Sequence, residues 1–361
     1  MSDLLKDMYN KETIQDFAQI IKSTYNPFPV DDFVKSVMDD KWDSLELKGR
    51  FKQISANMRV FLPEDYPEAI SILDKIVAKA KGGFFGIAFP DFVEAYGQDE
   101  KYWDISIAAL ELYTQYSSSE FAVRSFIINH EERMMAQMRA WAKHESEHVR
   151  RLASEGCRPR LPWAQALPSF KRDPSPILPI LEHLKTDTSA YVRKSVANNL
   201  NDISKDNPDL VAKLAKSWYG KNELTDWIVK HGCRTLLKQA NPEALAVFGF
   251  GDSDDVKASK FALSTKTVAI GDEFTFSFII ETKAAVKTRL EYAIDFVKAN
   301  GKQSRKIFQI SEIMLKANEK KLYEKTHSFV DLSTRKHYPG IHAIALIVNG
   351  VQQGILEFEV R

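Results

Sequence analysis

The sequence predicts two architectures in one chain: a curved stack of paired helices over residues 1–250, then a β-sandwich over 251–361. Three observations predict it. Apolar residues recur at three- and four-residue spacing up to about position 250. A short helix-start pattern returns several times within that part. Beyond it, β-rich runs are joined by Asn-Gly.

The helical periodicity shows in Phe17, Ile20, Ile21 and again in Ile70, Leu73, Ile76, Val77. Pro27, Pro29, Pro63, Pro67 and Pro90 fall in the breaks between such runs. The glycine-rich turn Gly82-Gly83-Phe84-Phe85-Gly86 lacks the preceding strand and the Lys-Ser/Thr ending of a phosphate loop. The recurring start is Ser119-Glu120-Phe121-Ala122-Val123-Arg124, then Ser146-Glu147-His148-Val149-Arg150-Arg151, then Ser189-Ala190-Tyr191-Val192-Arg193-Lys194. A weaker copy runs Thr225-Asp226-Trp227-Ile228-Val229-Lys230. Each offers a Ser or Thr to cap a helix, apolar residues, then a basic one. The markers Val123, Val149, Val192 and Ile228 are 26, 43 and 36 residues apart. That spacing suits HEAT-like helix pairs, which bury their apolar sides only against neighbours and so stack into a solenoid. A basic residue once per repeat would put a cationic row on the concave face, suited to a phosphate backbone. The alternative is solvated charges pairing with acids of the next repeat.

Gly249-Phe250-Gly251-Asp252-Ser253-Asp254-Asp255 reads as a linker. After it, Phe274–Ile280, Leu290–Phe296 and Ile341–Val348 read as strands, about seven in all, and Asn300-Gly301 and Asn349-Gly350 as hairpin turns. Tyr338-Pro339-Gly340-Ile341-His342 resembles a tyrosine corner, so the sandwich is expected to be immunoglobulin-like, without the Cys-Trp-Cys pattern of antibody domains.

Composition narrows the function classes. With 44% hydrophobic and 27% charged residues, the chain is neither disordered nor fibrous. No apolar run reaches the roughly 18 residues of a membrane span, and no basic, apolar signal segment opens the sequence. Cys157 and Cys233 cannot make a disulfide framework and fit buried thiols in a reducing cytosol. The net charge of +1 conceals a division. Residues 1–120 carry 13 Lys and Arg against 21 Asp and Glu, residues 121–250 carry 20 against 14, and residues 251–361 carry 17 against 14. A basic middle beside an acidic lobe keeps a polyanionic partner open.

One motif competes. His144-Glu145-Ser146-Glu147-His148 satisfies H-E-x-x-H, which on a single helix would offer zinc two ligands and a base. Ser146 reads as a helix cap between the histidines, His148 as core-facing, and Arg150 and Arg151 would oppose a cation. No metal is expected.

Three blocks carry a resemblance: Ser119–Arg124, His144 through Arg160-Leu161-Pro162-Trp163, and Tyr191 through Asn198-Asn199-Leu200-Asn201-Asp202. Together they resemble the bacterial DNA alkylation repair glycosylases built from HEAT-like repeats, and most of all the AlkC branch, some of whose members append an Ig-like domain. The last block also occurs in the sister AlkD branch. The resemblance covers about residues 1–250. It implies excision of 3-methyladenine and 3-methylcytosine from double-stranded DNA, without flipping the lesion into a tight pocket. It implies no cofactor, no membrane and no obligate protein partner, in the bacterial cytosol or nucleoid.

The chemistry suits such residues. An N3-alkylated base is cationic and leaves neutral, so charge moves onto the sugar as an oxocarbenium-like species. Fixed carboxylates, a flat aromatic face and cations for flanking phosphates would serve it, without a metal or a strong acid. By the family pattern Asp202 and Glu155 would stabilise charge and position water, and Glu120 would face the lesion. Their alternatives are, for Asp202, a pair with Lys205; for Glu155, a surface acid; and for Glu120, a first-turn acid. Trp163 would stack on the base, or else anchor the core; Trp218 and Trp227 are expected to pack. Arg124, Arg151, Arg158, Arg160, Arg193 and Lys194 are the expected phosphate contacts. Lys302, Arg305 and Lys306 would let the Ig-like domain clamp the duplex, unless it is a spacer or dimer surface. The expected enzyme is monofunctional, since no lysine stands out as a nucleophile; a non-catalytic HEAT-repeat scaffold for nucleic acid or protein is the other reading.

Overall fold

A computed structural model of the chain describes residues 5–80, 86–251, 253–332 and 335–361. Residues 82–85 of the glycine-rich turn and Asp252 of the linker lie outside them. The described chain is helical first: α1 (Lys11–Thr24), α2 (Val30–Val37), α3 (Leu47–Phe61), α4 (Tyr66–Ile76), α5 (Ala88–Tyr96), α6 (Trp103–Tyr113), α7 (Val123–Asn129), α8 (Glu131–Trp141) and α9 (Glu147–Glu155). Then follow α10 (Pro168–Arg172), α11 (Leu178–Leu184), α12 (Ala190–Ile203), α13 (Pro208–Trp218), α14 (Glu223–Gly232), α15 (Arg234–Lys238) and α16 (Pro242–Val247). The chain divides into two compact units, residues 1–207 with 222–228, and residues 208–221 with 229–361. The last helical segments therefore belong with the β domain.

In the first unit the repeated markers behave alike: Val123, Val149, Val192 and Ile228 are all fully buried. The caps are less uniform. The Ser189 hydroxyl accepts from the Tyr191 and Val192 amides at the start of α12. Ser146 occupies the cap of α9 without a side-chain bond. Thr225 lies inside α14, where Asn222 caps instead, accepting from the Leu224 and Thr225 amides. The Ser154 and Ser195 hydroxyls share a 2.7 Å hydrogen bond between α9 and α12, and Asn199 Nδ2 donates to the Ser154 carbonyl at 2.7 Å. This polar seam holds the two helices that carry Glu155 and Asp202.

Among the described residues the second unit is built on eight strands: β1 (Val256–Leu263), β2 (Thr267–Val268), β3 (Glu273–Thr282), β4 (Val286–Val297), β5 (Gln303–Leu315), β6 (Lys320–Ser328), β7 (Gly340–Val348) and β8 (Val351–Val360). They form a three-stranded sheet, β1-β3-β6, and a five-stranded sheet, β2-β8-β7-β4-β5. β3 shows why: Phe274, Phe276, Phe278 and Ile280 are buried and their neighbours are not, the period-2 pattern of a half-buried strand. They meet Leu290, Ile294, Ile344 and Leu346 of the facing sheet. The Asn-Gly turns differ. Asn349 and Gly350 have φ of 46° and 82°, so two residues of left-handed backbone close β7 onto β8. At the longer β4–β5 turn only Gly301 is left-handed, with φ 73°. The outer face of the five-stranded sheet is buried too, at Ala293, Ala345 and Ile347. Gly350 lies so close to Ala240 that an added Cβ would come within 2.4 Å of the alanine's own.

Candidate functional site

Six side chains form one ion network in the helical unit. Arg151 reaches Glu120 Oε2 at 2.6 Å and Glu155 Oε1 at 3.5 Å. Arg158 reaches Glu155 Oε1 at 2.6 Å and Asp202 Oδ2 at 2.9 Å. Lys205 closes the row on Asp202 Oδ1 at 3.0 Å. Three acids thus alternate with three bases, all but Lys205 largely out of solvent. Burial works against the charge of Arg151 and Arg158, but Glu120 and Glu155 around the first and Glu155 and Asp202 around the second outweigh it, so both guanidinium groups are held above their ordinary range. They remain cationic at any pH the protein meets.

The network opens onto a cavity of about 540 Å³, lined by Glu120, Glu155, Arg151 and Arg158 together with Tyr116, Phe121, His148, Trp163 and Tyr191. Of the three acids predicted from the sequence, Glu120 and Glu155 reach this cavity; Asp202 does not line it and lies behind Arg158. On Glu155 both arginines fall on Oε1, so Oε2 carries no hydrogen bond among the described residues. On Glu120 the bonds from Arg151 and Ser118 both fall on Oε2, leaving Oε1 in the same condition. Two carboxylates are therefore fixed in place by one oxygen each.

Trp163 stands at the rim. It is 59% exposed and holds φ 63°, a conformation costly for a bulky side chain and kept only where the surroundings over-determine it. It is no core anchor. In the same lining His148 meets Tyr191 edge-to-face at 5.7 Å, and the Arg151 guanidinium lies over the Tyr191 ring at 4.8 Å. Trp218 is buried as expected, but Trp227, expected to pack, is 45% exposed.

The predicted cationic row takes a different form. Arg124 is buried, donating to the carbonyls of Gly156 and Arg158 at 2.9 Å each and of Gln165 at 2.6 Å, so it cannot meet a phosphate from there. Arg151 and Arg158 are committed to the acids. Arg150 and Arg193 occupy equivalent repeat positions and share one job: each donates to the carbonyls six and five residues before it, 144 and 145 for the first, 187 and 188 for the second, and Arg150 also holds both oxygens of Asp187 in the next repeat. The repeated arginine is a clamp on the turn entering its helix. Arg160 pairs with both oxygens of Asp206, and Lys230 pairs with Glu312. Lys194 is exposed and has no ion pair among the described residues. In the sandwich, Arg305 is held by both oxygens of Asp295, and Lys306 lies over the Phe308 ring at 5.4 Å.

The H-E-x-x-H motif does not share a helix face. His144 precedes α9, its Nδ1 accepting from the Ser146 amide at 3.0 Å, while His148 is in α9 and faces the cavity, not the core. Among the described residues no group of three or more His, Cys, Asp or Glu side chains is placed to hold a metal ion. Both cysteines are buried, and burial pushes each thiol up to about 12. The sequence reading missed Tyr116, His148 and Tyr191 as lining residues. A signal existed: His148, Tyr191 and Trp227 each immediately precede a buried marker, so all three sit at one register of their helices.

Comparison with known proteins places the chain. Residues 111–236 match the family model of the DNA alkylation repair enzyme, and residues 257–361 match that of the C-terminal Ig-like domain of the uncharacterised protein YhaZ. A helical part matching DNA alkylation repair enzymes, followed by an Ig-like sandwich, is thus the architecture of a DNA alkylation repair protein. The chain is 48% identical to the uncharacterized protein YhaZ of Bacillus subtilis (strain 168) over 100% of both chains. It superposes on the alkylpurine DNA glycosylase AlkC of Pseudomonas fluorescens, solved bound to DNA containing an abasic site analog. The TM-score is 0.95 at 37% identity, over 99% of this chain and 100% of that one. The chain belongs to the AlkC family. No helix among the described residues is long and apolar enough to cross a membrane.

Proposed function

We propose that the chain is a monofunctional DNA glycosylase that hydrolyses the N-glycosidic bond of cationic alkylated bases, 3-methyladenine and 3-methylcytosine, opening base excision repair of double-stranded DNA in the bacterial cytosol or nucleoid. The observation that carries this reading is the pairing of two carboxylates, each with one oxygen unbonded among the described residues, with an exposed tryptophan in one aromatic-lined cavity. The lesion stacks on Trp163 at the rim, which needs no tight pocket. As the bond breaks, positive charge leaves the base for the sugar, and Glu155 Oε2 meets it there. Glu120 supports the same charge, and either oxygen can orient and deprotonate the attacking water. Asp202 acts at one remove, fixing Arg158 and so Glu155. A carboxylate about 4 Å from a unit charge, at effective dielectric about 20, contributes about 4 kcal/mol. Realised in the transition state, that is roughly a thousandfold in rate. No metal or cofactor is needed. Residues 1–250 bind and cleave, and residues 251–361 form the appended Ig-like domain, with Lys194 and Arg160 as candidate backbone contacts.

The test is release of free base from duplexes bearing 3-methyladenine, 3-methylcytosine or 7-methylguanine. The first two should yield free base and an abasic site, and Glu155→Gln should suppress it. Binding without release, unchanged by Glu155→Gln, would make the chain a scaffold instead.

A further inference from the structure

The loop between α9 and α10, residues 156–167, carries both Arg158 and Trp163. Little within it explains its shape. Its own backbone bonds are few: Ala164 to Leu161 at 3.2 Å and Leu167 to Pro159 at 3.1 Å. Its side chains Arg158 and Arg160 reach out to Asp202 and Asp206, but its backbone carbonyls are gathered by one guanidinium from another helix. Arg124, at the start of α7, donates Nη1 to the carbonyls of Gly156 and Arg158 and Nε to that of Gln165, bridging both limbs of the loop. Gly156 makes this approach possible, because a Cβ there would come within 2.5 Å of Val123 Cγ2. A cation is otherwise out of place so deep, and burial pushes Arg124 down to about 10, with no carboxylate bonded to it in exchange. The group stays charged at neutral pH, and its hydrogen bonds to carbonyls are of the stronger, charge-assisted kind.

We propose that Arg124 is a positioning residue, which holds the lesion-facing loop in working shape and maintains the left-handed backbone of Trp163, and is not a contact for DNA. The inference rests on the function proposed above in naming Trp163 as the lesion contact. Lysine cannot span three carbonyls in fixed geometry. In the full chain, Arg124→Lys should lower turnover on the alkylated duplex by about five- to thirtyfold, no more than deleting the Trp163 face it positions. Gly156→Ala should act in the same direction. Affinity for undamaged duplex and its salt dependence should not change. In a Trp163→Ala background the Arg124→Lys loss should shrink to under about twofold, since residues acting through one another are not additive. A salt slope lower by about 1 would make Arg124 a phosphate contact and overturn the proposal. Losses that multiply in full in the double variant would overturn it too. If the unaltered protein releases no base, the proposed function fails, but this inference is still decided by hydrogen exchange. The Ala164 and Leu167 amides should be protected in the unaltered chain and lose protection in Arg124→Lys; fast exchange in the unaltered chain refutes it. That last measurement also serves if a variant does not fold.

Discussion

Among the described residues each unit contains a buried network of arginine and carboxylate. In the sandwich, Arg289 of β4 donates to Glu291 Oε1 at 2.7 Å and to Glu312 Oε1 of β5 at 2.6 Å, with exposures of 4%, 1% and 11%. In the helical unit, Arg151 and Arg158 hold Glu120, Glu155 and Asp202 at similar distances and burial. Charge type, geometry and desolvation do not tell them apart. Access does. Glu291 is sealed on a covered sheet face, whereas Glu155 lines a cavity, keeps one oxygen unbonded and neighbours a strained, exposed indole. A buried ion network is therefore no sign of a site by itself, since removing one partner of any such network is costly. The sign is a charge fixed on one side and open on the other.

The two networks should separate sharply under the same substitution. Glu155→Gln removes the charge that meets the transition state, and base release should fall about a thousandfold with little change in duplex affinity. Glu291→Gln should leave turnover per folded molecule intact and cost about 3–5 kcal/mol of stability, because Arg289 loses a partner inside the structure. Base-release kinetics beside thermal melts of both variants check the pair. A Glu291 variant with impaired turnover at full folding would erase the distinction.

Acid should also divide the units. His327, His337 and His342 are buried among Phe296, Phe329 and Phe358, whereas none of the histidines at 130, 144, 148 and 183 is buried. Burial, reinforced by Arg335, His337 and Lys306, pushes His327 down from 6.5 to about 4; burial lowers His337 and His342 as well. The folded state thus favours neutral rings, and the unfolded chain binds more protons between those values. The stabilisation is complete above about pH 6.5 and is lost as pH falls toward 4, roughly 3 kcal/mol for His327 alone. Melting followed by probes in each unit should show the sandwich weakening first across that interval. His327→Phe should flatten the dependence.

Periodicity made the architecture legible. The alternation of β3 and the even burial of Val123, Val149, Val192 and Ile228 follow from where apolar side chains recur. The site was legible only in part. Glu120, Glu155 and Trp163 do share a cavity, but composition could not have singled them out, and the family resemblance did. The arginines were misjudged for a physical reason. Arg124, Arg150 and Arg193 are identical letters at equivalent places, and whether such a side chain reaches water or a nearby carbonyl depends on the loops around it, which periodicity does not specify. His148 was misplaced because a residue beside a buried valine reads as core, although a helix turns it about 100° away.

Trp163 offers a gentler test of the open side. Trp163→Ala deletes the face on which a cationic base would stack, a contact of about 1–2 kcal/mol when desolvated, so turnover should fall about five- to thirtyfold. A neutral analogue of the lesion should lose less than the cationic one. Unlike substitutions in the sandwich, this one should not reduce the melting temperature, since the side chain is mostly in solvent and its backbone is strained. A marked loss of stability would return Trp163 to a packing role.

The smallest effect expected is at Lys194, and it sharpens the contrast at its finest scale, between neighbours. Arg193 spends its guanidinium on the carbonyls of Asp187 and Thr188, while Lys194, one residue on, is exposed. Arg193→Ala should therefore destabilise the entry to α12 by about 1 kcal/mol, the usual worth of a hydrogen-bonded cap, without altering salt dependence. Lys194→Ala should leave stability unchanged and weaken undamaged and alkylated duplex equally, by a few-fold, lowering the salt slope by about 1 if the ammonium neutralises one phosphate. Binding titrations at several salt concentrations, paired with melts, read both. If Arg193 changes the slope and Lys194 does not, the backbone runs past the clamps and not past the exposed lysine, and the DNA path over the helical unit must be redrawn.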